Sequence, residues 1–295
     1  MEKIIFSLTS SKKLAEQIAK ASKIELGKSE VVKFSDGEIM ARCLSDVQGK
    51  ECYIIQSTIA PSSDTIFEIL IFVDSLKNAG AKDIVLIAPY YGYSRQDRVA
   101  RPGEPITAKL VAKMLENVGI SRVISVDLHT QQIQGFFSIP MKNLETSVLF
   151  GRYFAKRFDE LKIAHENVVV VSPDHGSANR GRDVSSELNG ASLAVIDKRR
   201  PAPNKSEVVN VVGDVKGKTC LVVDDICDTC GTINNAVEAL FEKGAKDVYV
   251  AVTHAVISKN SIDSRVKEFV TTDTVEKEYK GAKVLSVAEL IAQNL

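Results

Sequence analysis

Between Thr219 and Thr232 the chain reads T-C-L-V-V-D-D-I-C-D-T-C-G-T. Two adjacent acids, Asp224 and Asp225, precede a short polar loop of Asp228, Thr229, Cys230, Gly231 and Thr232. The loop suits an anion. Gly231 lets the backbone approach a ligand closely, and the two threonine hydroxyls can donate to phosphate oxygens. The acid pair repels phosphate and suits sugar hydroxyls or a metal ion. Phosphate at one end and hydroxyls at the other describe a phosphorylated sugar. A capped strand-to-helix turn with Asp as N-cap satisfies the same string, so the flanking elements must carry the rest.

Four other groupings hold chemistry-bearing residues. Tyr90-Tyr91-Gly92-Tyr93-Ser94-Arg95-Gln96-Asp97-Arg98 combines arginines, which grip phosphates bidentately, with aromatic faces that suit a base. His129 in Asp127-Leu128-His129 and Asp174 in Ser172-Pro173-Asp174-His175 could meet at a hard metal. So few ligands suit Mg²⁺, which keeps waters and takes substrate phosphates, better than zinc. Lys198 and Arg200 begin a polar segment with Pro201, Pro203 and Asn204, read as a mobile loop whose cations could neutralise a transferring phosphoryl group. Cys227-x-x-Cys230 has the spacing of a redox or metal pair, but without a second C-x-x-C or a thioredoxin-like context.

These residues fall where strands should end. Leu221 to Val223 is an apolar run suited to a strand buried on both faces, and Ile233, Ala236, Val237, Leu240 and Phe241 share a helical face beyond the loop. Strands are predicted over 3–8, 31–34, 51–56, 83–88, 122–127, 168–172 and 191–196. Helices are predicted over 64–78, 106–118 and 147–161, with Ile106, Leu110, Val111, Met114 and Val118 in register on the second. A short amphipathic tail helix, 286–294, could pack back on the first domain. Alternation of strands and helices predicts an α/β fold with mostly parallel sheets covered on both faces. In such sheets ligands bind at the carboxyl ends of strands.

The chain also repeats itself. Leu76-Lys-Asn-Ala-Gly80-Ala-Lys-Asp83 recurs as Leu240-Phe-Glu-Lys-Gly244-Ala-Lys-Asp247, and Gly49-Lys50-Glu51-Cys52 as Gly217-Lys218-Thr219-Cys220. This predicts a tandem duplication, with domains at 1–144 and 145–295. The first copy has Gln56 to Pro61 where the second has its loop, without an acid pair.

Composition narrows the function. At 295 residues, with 44% hydrophobic and 26% charged residues, the chain has the mix of a soluble two-domain protein. Lys+Arg and Asp+Glu are both 38, so the net charge is zero, against a protein that holds nucleic acid by electrostatics. No apolar run approaches the ~20 residues of a membrane span, and no signal segment opens the chain. Five cysteines without framework spacing suit a reducing compartment, so a cytoplasmic location is expected.

Taken together, F-S-D-G-E-I, Y-Y-G-Y-x-R-Q-D-R, E-P-I-T-A-K-L-V-A, D-L-H-x-x-Q-I-Q-G-F-F, V-S-P-D-H-G, I-D-K-R-R-P and the D-D-x-x-D-T-x-G-T loop resemble, in order, the ribose-phosphate diphosphokinase family. The resemblance implies two phosphoribosyltransferase-like domains and transfer of diphosphate from ATP to O1 of ribose 5-phosphate. It implies that Phe34, Asp36, Gly37, Glu38, Arg95 and Gln96 hold ATP, and that His129 and Asp174 serve Mg²⁺. Lys198 corresponds to the catalytic lysine, with Arg200 beside it. Asp224, Asp228, Thr229, Cys230, Gly231, Thr232 and Arg200 would hold ribose 5-phosphate. The resemblance further implies a hexamer built of dimers, with Phe34 to Glu38 reaching a neighbouring subunit, and phosphate and ADP as effectors. Cys230 stands where the family has alanine, Ser177 where it has glycine, Gly103 where an arginine is common and Lys142 where an acid is common. A type I phosphoribosyltransferase and a non-catalytic regulatory subunit remain alternatives, distinguished by the duplicated half and by Lys198-Arg199-Arg200 respectively.

Overall fold

Runs of β-branched and apolar residues form the buried strands, and left-handed Gly80, Gly119 and Gly244 follow three of the helices between them. The computed structural model describes residues 1–189, 191–202, 205–259 and 261–295, with the side chains of 198–202 and 205–209 outside that description. The chain divides into two units. One comprises Met1–Leu144, Asp273–Lys277 and Ser286–Leu295, and the other Glu145–Thr272 and Glu278–Leu285.

The first unit contains β1 (Lys3–Ser7), α1 (Lys12–Ser22), β2 (Glu25–Leu26), β3 (Ser29–Lys33), β4 (Ile39–Cys43), β5 (Glu51–Ile55), α2 (Ser62–Asn78), β6 (Asp83–Ala88), α3 (Thr107–Val118), β7 (Arg122–Val126) and β8 (Met141–Leu144). Six of these strands form a parallel sheet in the order β2-β1-β5-β6-β7-β8. Strands β3 and β4 pair with each other in a separate antiparallel ribbon. The strand expected over 31–34 therefore lies outside the sheet.

The second unit contains α4 (Ser147–Glu160), β9 (Val168–Ser172), α5 (Ala178–Glu187), β10 (Ser192–Ala202), β11 (Lys205–Val212), β12 (Thr219–Cys227), α6 (Gly231–Glu242), β13 (Asp247–Ala255), β14 (Glu268–Thr272) and β15 (Ala282–Leu285). Its sheet runs β11-β10-β9-β12-β13-β14-β15, parallel except for the β10–β11 pair. Phe150, Phe154 and Phe158 recur every fourth residue on α4 and are fully buried. Each such burial contributes about 2–3 kcal/mol. The last helix, α7 (Ala288–Ala292), belongs to the first unit, where Ser286 Oγ donates to Gln17 Oε1 at 2.5 Å.

The duplication is visible atom by atom. Strand order β1-β5-β6-β7-β8 is matched by β9-β12-β13-β14-β15, with α2 and α6 in corresponding crossovers. Gly80 and Gly244 both have φ +84°, and their carbonyls accept from Gly49 N–H and Gly217 N–H at 2.8 Å each. In both copies the next N–H bonds back into the helix, Ala81 to Leu76 and Ala245 to Leu240. This is a glycine stop joined to the turn before the neighbouring strand. The repeated G-A-K-D and G-K strings are the two halves of one hydrogen-bonded corner.

Two expectations change. On α3 the buried side is Ala108, Val111, Ala112 and Leu115, while Leu110 is 55% exposed. The small alanines let Val111 and Leu115 seat closely, which rotates the helix away from the stripe through Leu110. Segment 198–202 is not a loop: it continues β10, with Lys198 opposite Val208 and Arg199 opposite Glu207. The β-branched run of β11 supplies its partner, and register shifts follow Asp197 and Arg199. Pro203 and Asn204 lie outside the described residues.

Gly92 is required by close approach. Its N–H donates to Thr58 Oγ1 at 2.5 Å, and an added Cβ would lie 2.2 Å from the Thr58 carbonyl oxygen. Gly92→Ala is expected to destabilise the first unit by about 2 kcal/mol, because backbone rather than a flexible side chain must yield. Urea unfolding would show this as a lower midpoint at unchanged slope.

Candidate active site

The site in the second unit is built on β12, between β9 and β13. The strand does not stop at its acids. It continues through Asp224 and Asp225 to Cys227, pairing Asp224 with Val252 and Cys227 with Ala255 of β13. Both acids are consequently buried. Burial pushes the Asp224 carboxyl well above the usual carboxylate range, and the charges of Asp225 and Asp174 push it further; Arg180 opposes them. Arg180 Nη1 lies 3.8 Å from Asp225 Oδ1, and Asp225 N–H donates to Asp224 Oδ1 at 3.0 Å. A buried acid pair with one cation still favours a further cation or hydroxyl donors.

The loop beyond leads into α6. Cys230 is left-handed, with φ +58°, and Gly231 is the first helical residue. A Cβ at Gly231 would meet nothing closer than Thr229 Oγ1 at 3.6 Å, so the chain itself does not fill the space in front of this backbone. The N–H groups of a first helical turn have no intrahelical acceptors and carry the positive end of the dipole. Asp228 is held from β13's following segment. Ser258 N–H donates to the Asp228 carbonyl at 2.9 Å, and Ser258 Oγ to Asp228 Oδ1 at 2.5 Å. No spacing in the sequence indicates Ser258, which lies thirty positions away. Ser258→Ala should raise the KM for the loop's ligand severalfold with a smaller change in kcat, because Asp228 is left less fixed. Restoration by Ser258→Thr would distinguish positioning by the hydroxyl from general loosening.

At the end of β9, Asp174 is fixed by Ser177. Ser177 N–H and Oγ both donate to Asp174 Oδ1 at 3.1 Å, and Ser177 Oγ lies 2.7 Å from Ser172 Oγ. Ser177 also stands immediately before α5. That helix escapes the sequence pattern, because only Gly181 and Val184 are buried along it. Neighbouring His175 is exposed, with Nε2 3.6 Å from Asp197 Oδ1. Lys198 and Arg200 continue β10 from Asp197, with side chains outside the described set.

In the first unit, Arg95 and Gln96 follow β6, and exposed His129 follows β7. Gln96 is anchored to α3: Thr107 Oγ1 donates to its Oε1 at 2.6 Å, and Ala108 N–H to its carbonyl at 3.2 Å. Thr130, beside His129, donates to Asp97 Oδ2 at 2.8 Å. Two of the three tyrosines of this motif are not an open platform for a base, and Tyr93 is half-buried. Tyr90 and Tyr91 are buried, and Tyr91 donates to Ala108 O while packing edge-on against Phe137. Phe34, Asp36, Gly37 and Glu38 form the turn between β3 and β4. Phe34 N–H donates to Glu38 O, Glu38 N–H donates to Asp36 Oδ1, and Phe34 is 49% exposed. The stretch corresponding to the phosphate loop is occupied internally: Ser57 Oγ donates to Thr274 O and accepts from Tyr90 N–H.

Comparison with known proteins identifies this arrangement. Residues 3–119 match the model of the N-terminal domain of ribose phosphate pyrophosphokinase, and residues 142–289 match the phosphoribosyl transferase domain. The ribose-phosphate pyrophosphokinase of Bacillus subtilis is 48% identical over 98% of this chain and 92% of its own length. The chain belongs to the ribose-phosphate pyrophosphokinase family. Ribose-phosphate pyrophosphokinase 2 of Enterococcus faecalis is 49% identical, over 97% of this chain and 90% of that protein. A solved phosphoribosylpyrophosphate synthetase from Mycobacterium smegmatis superposes with a TM-score of 0.90 and 39% identity, covering 100% of this chain and 97% of that one. The fold is therefore that of ribose-phosphate pyrophosphokinases along the whole chain. Among the described residues, no three or more His, Cys, Asp or Glu side chains form a metal cluster, and no helix is long and apolar enough to cross a membrane.

Proposed function

We propose that this chain transfers the diphosphate of ATP to O1 of ribose 5-phosphate, giving 5-phosphoribosyl 1-diphosphate and AMP. The observation that carries the reading is the buried Asp224/Asp225 pair directly before an open helix-start loop in the second unit. Asp224 accepts hydrogen bonds from the ribose hydroxyls, while the backbone and hydroxyls of Asp228 to Thr232 take the 5-phosphate. Arg95 and Gln96, with Phe34 and Asp36 to Glu38, hold ATP.

The donor set fits Mg²⁺. Asp174 offers a hard carboxylate oxygen fixed by Ser177, and a Mg²⁺ site of this kind needs only one or two protein ligands beside substrate phosphates. His129 and Asp174 would hold the ion, which would supply charge neutralisation on the phosphates. The chain's own residues position O1 for in-line attack on the β-phosphorus. The transition state is loose and spreads charge over phosphoryl oxygens, so Lys198 and Arg200 act chiefly as cations. The assembly is a hexamer built of dimers in the cytoplasm, with Phe34 to Glu38 completing a neighbouring subunit's nucleotide site. Phosphate and ADP act as effectors.

Purified protein incubated with ATP, Mg²⁺, ribose 5-phosphate and inorganic phosphate should form AMP and phosphoribosyl diphosphate in equal amounts. Formation of ADP instead would indicate transfer of the γ-phosphate alone and overturn the reading. Consumption of phosphoribosyl diphosphate with a nucleobase, and no AMP from ATP, would make it a type I phosphoribosyltransferase.

A further inference from the structure

We propose that Cys227 and Cys230 form a reversible disulfide that disables the ribose 5-phosphate loop. The proposal goes beyond the diphosphokinase reading and rests on it only for the loop's ligand. The two side chains are 1% and 2% exposed, and their sulfurs lie 2.8 Å apart. A disulfide needs about 2.05 Å between sulfurs, so closure requires a sulfur displacement of less than about 1 Å.

The placement gives the bond its effect. Cys227 is pinned in the β12–β13 ladder opposite Ala255, and its carbonyl accepts from Ile257 N–H at 2.9 Å. Cys230, at φ +58°, immediately precedes α6. Between the cysteines stand only Asp228 and Thr229, two residues of the ligand loop. With Cys227 fixed, tightening the sulfurs pulls on these two residues and on the start of α6. A metal role is less well supported, because no third His, Cys, Asp or Glu joins the two sulfurs among the described residues. The hydrogen bond to Cys230, and burial, hold the Cys227 thiol well above its ordinary range. Burial shields the pair from bulky electrophiles, so that small oxidants are its reagents, and the scarcity of thiolate makes the reaction slow.

The oxidant class is a hydroperoxide. One sulfur attacks the peroxide oxygen and becomes a sulfenic acid, releasing one water when the reagent is hydrogen peroxide. The second sulfur then attacks the sulfenic sulfur, the S–S bond forms, and a second water leaves. Overall two thiols are oxidised by two electrons and one peroxide is reduced to two waters. A dithiol reductant reverses the change by exchange.

The full-length protein is treated with hydrogen peroxide, remaining thiols are alkylated, and the digest is mapped by mass spectrometry. The expected product is a peptide with Cys227 linked to Cys230, lighter by two hydrogens. Phosphoribosyl diphosphate formation should fall roughly tenfold or more and return with dithiothreitol, as a loop displacement predicts. In Cys227→Ala, and equally in Cys227→Ser, the dithiothreitol-reversible loss should be absent. Alkylation of both cysteines after peroxide, or a mapped Cys227–Cys230 disulfide with undiminished activity, overturns the inference. The peptide map needs no substrate, so its result stands apart from failure of the diphosphokinase reading, which appears as absence of AMP from the reduced protein.

Discussion

Replacing Lys198 by alanine is expected to lower kcat about a hundredfold, with much smaller changes in the KM for ATP or ribose 5-phosphate. The family resemblance makes Lys198 the cation that meets charge as it develops on the transferring group. Such an interaction is strongest in the transition state, and removing one costs about 3 kcal/mol. The backbone gives the expectation a second side. Lys198 lies on β10, opposite Val208, immediately after a register shift at Asp197. A strand paired across this residue is a more defined mount for a cation than an unstructured loop. Lys198→Arg should therefore rescue poorly, because the longer, planar guanidinium does not reproduce a compact ammonium. Steady-state kinetics on purified variants, with folding checked by circular dichroism, would test both statements. Near-native kcat in Lys198→Ala would remove this side chain from the mechanism.

Asp224→Asn should separate function from stability. Asparagine keeps the shape but loses the charge that would accept from two ribose hydroxyls, and hydrogen bonds to charged groups contribute about 1.5–3 kcal/mol each. A fall in kcat/KM for ribose 5-phosphate of at least roughly tenfold is expected, with the KM for ATP little changed. The ligand-free chain should become more stable at neutral pH, because an acid whose ionisation is opposed by burial and by Asp225 and Asp174 is replaced by a neutral amide. The sign follows from the raised folded-state pKa. Native Asp224 contributes its full stability below the unfolded carboxylate pKa and loses it as pH rises through the higher folded value. The stability gap between asparagine variant and native chain should hence widen from acid to neutral pH. Thermal unfolding across that range measures it, and an equal gap at every pH would show that Asp224 carries no burial penalty.

The strands and the duplicated corners were legible from local sequence. Apolar runs such as Asp83–Ala88 and Val168–Ser172 have the length and composition of strands buried on both faces, and they occur as such. The G-A-K-D and G-K strings marked the same hydrogen-bonded corner twice, because glycine satisfies a left-handed backbone that other residues resist. The order of the chemistry-bearing motifs was also sufficient to indicate the family, since each is a short string whose residues are contiguous in sequence.

Tertiary structure decided what depends on distant neighbours. Strand β12 runs on past its acids because β13 offers a ladder as far as Ala255, and this extension buries Asp224 and Asp225. Helix α5 has no apolar stripe to announce it and is formed against the sheet through Gly181 and Val184. The polar segment beginning at Lys198 became a strand because β11 pairs with it, a partner that local composition does not specify. Tyr90 and Tyr91 turned inward, where burial of their rings outweighs exposure to a ligand, and Tyr91 still satisfies its hydroxyl on Ala108 O. Ser258 reached Asp228 only through the chain's return after β13. Local periodicity records which residues want burial, but hydrogen-bond ladders, carboxylate burial and side-chain anchors are set by segments far apart in sequence. Those contacts exist only once the sheets have assembled.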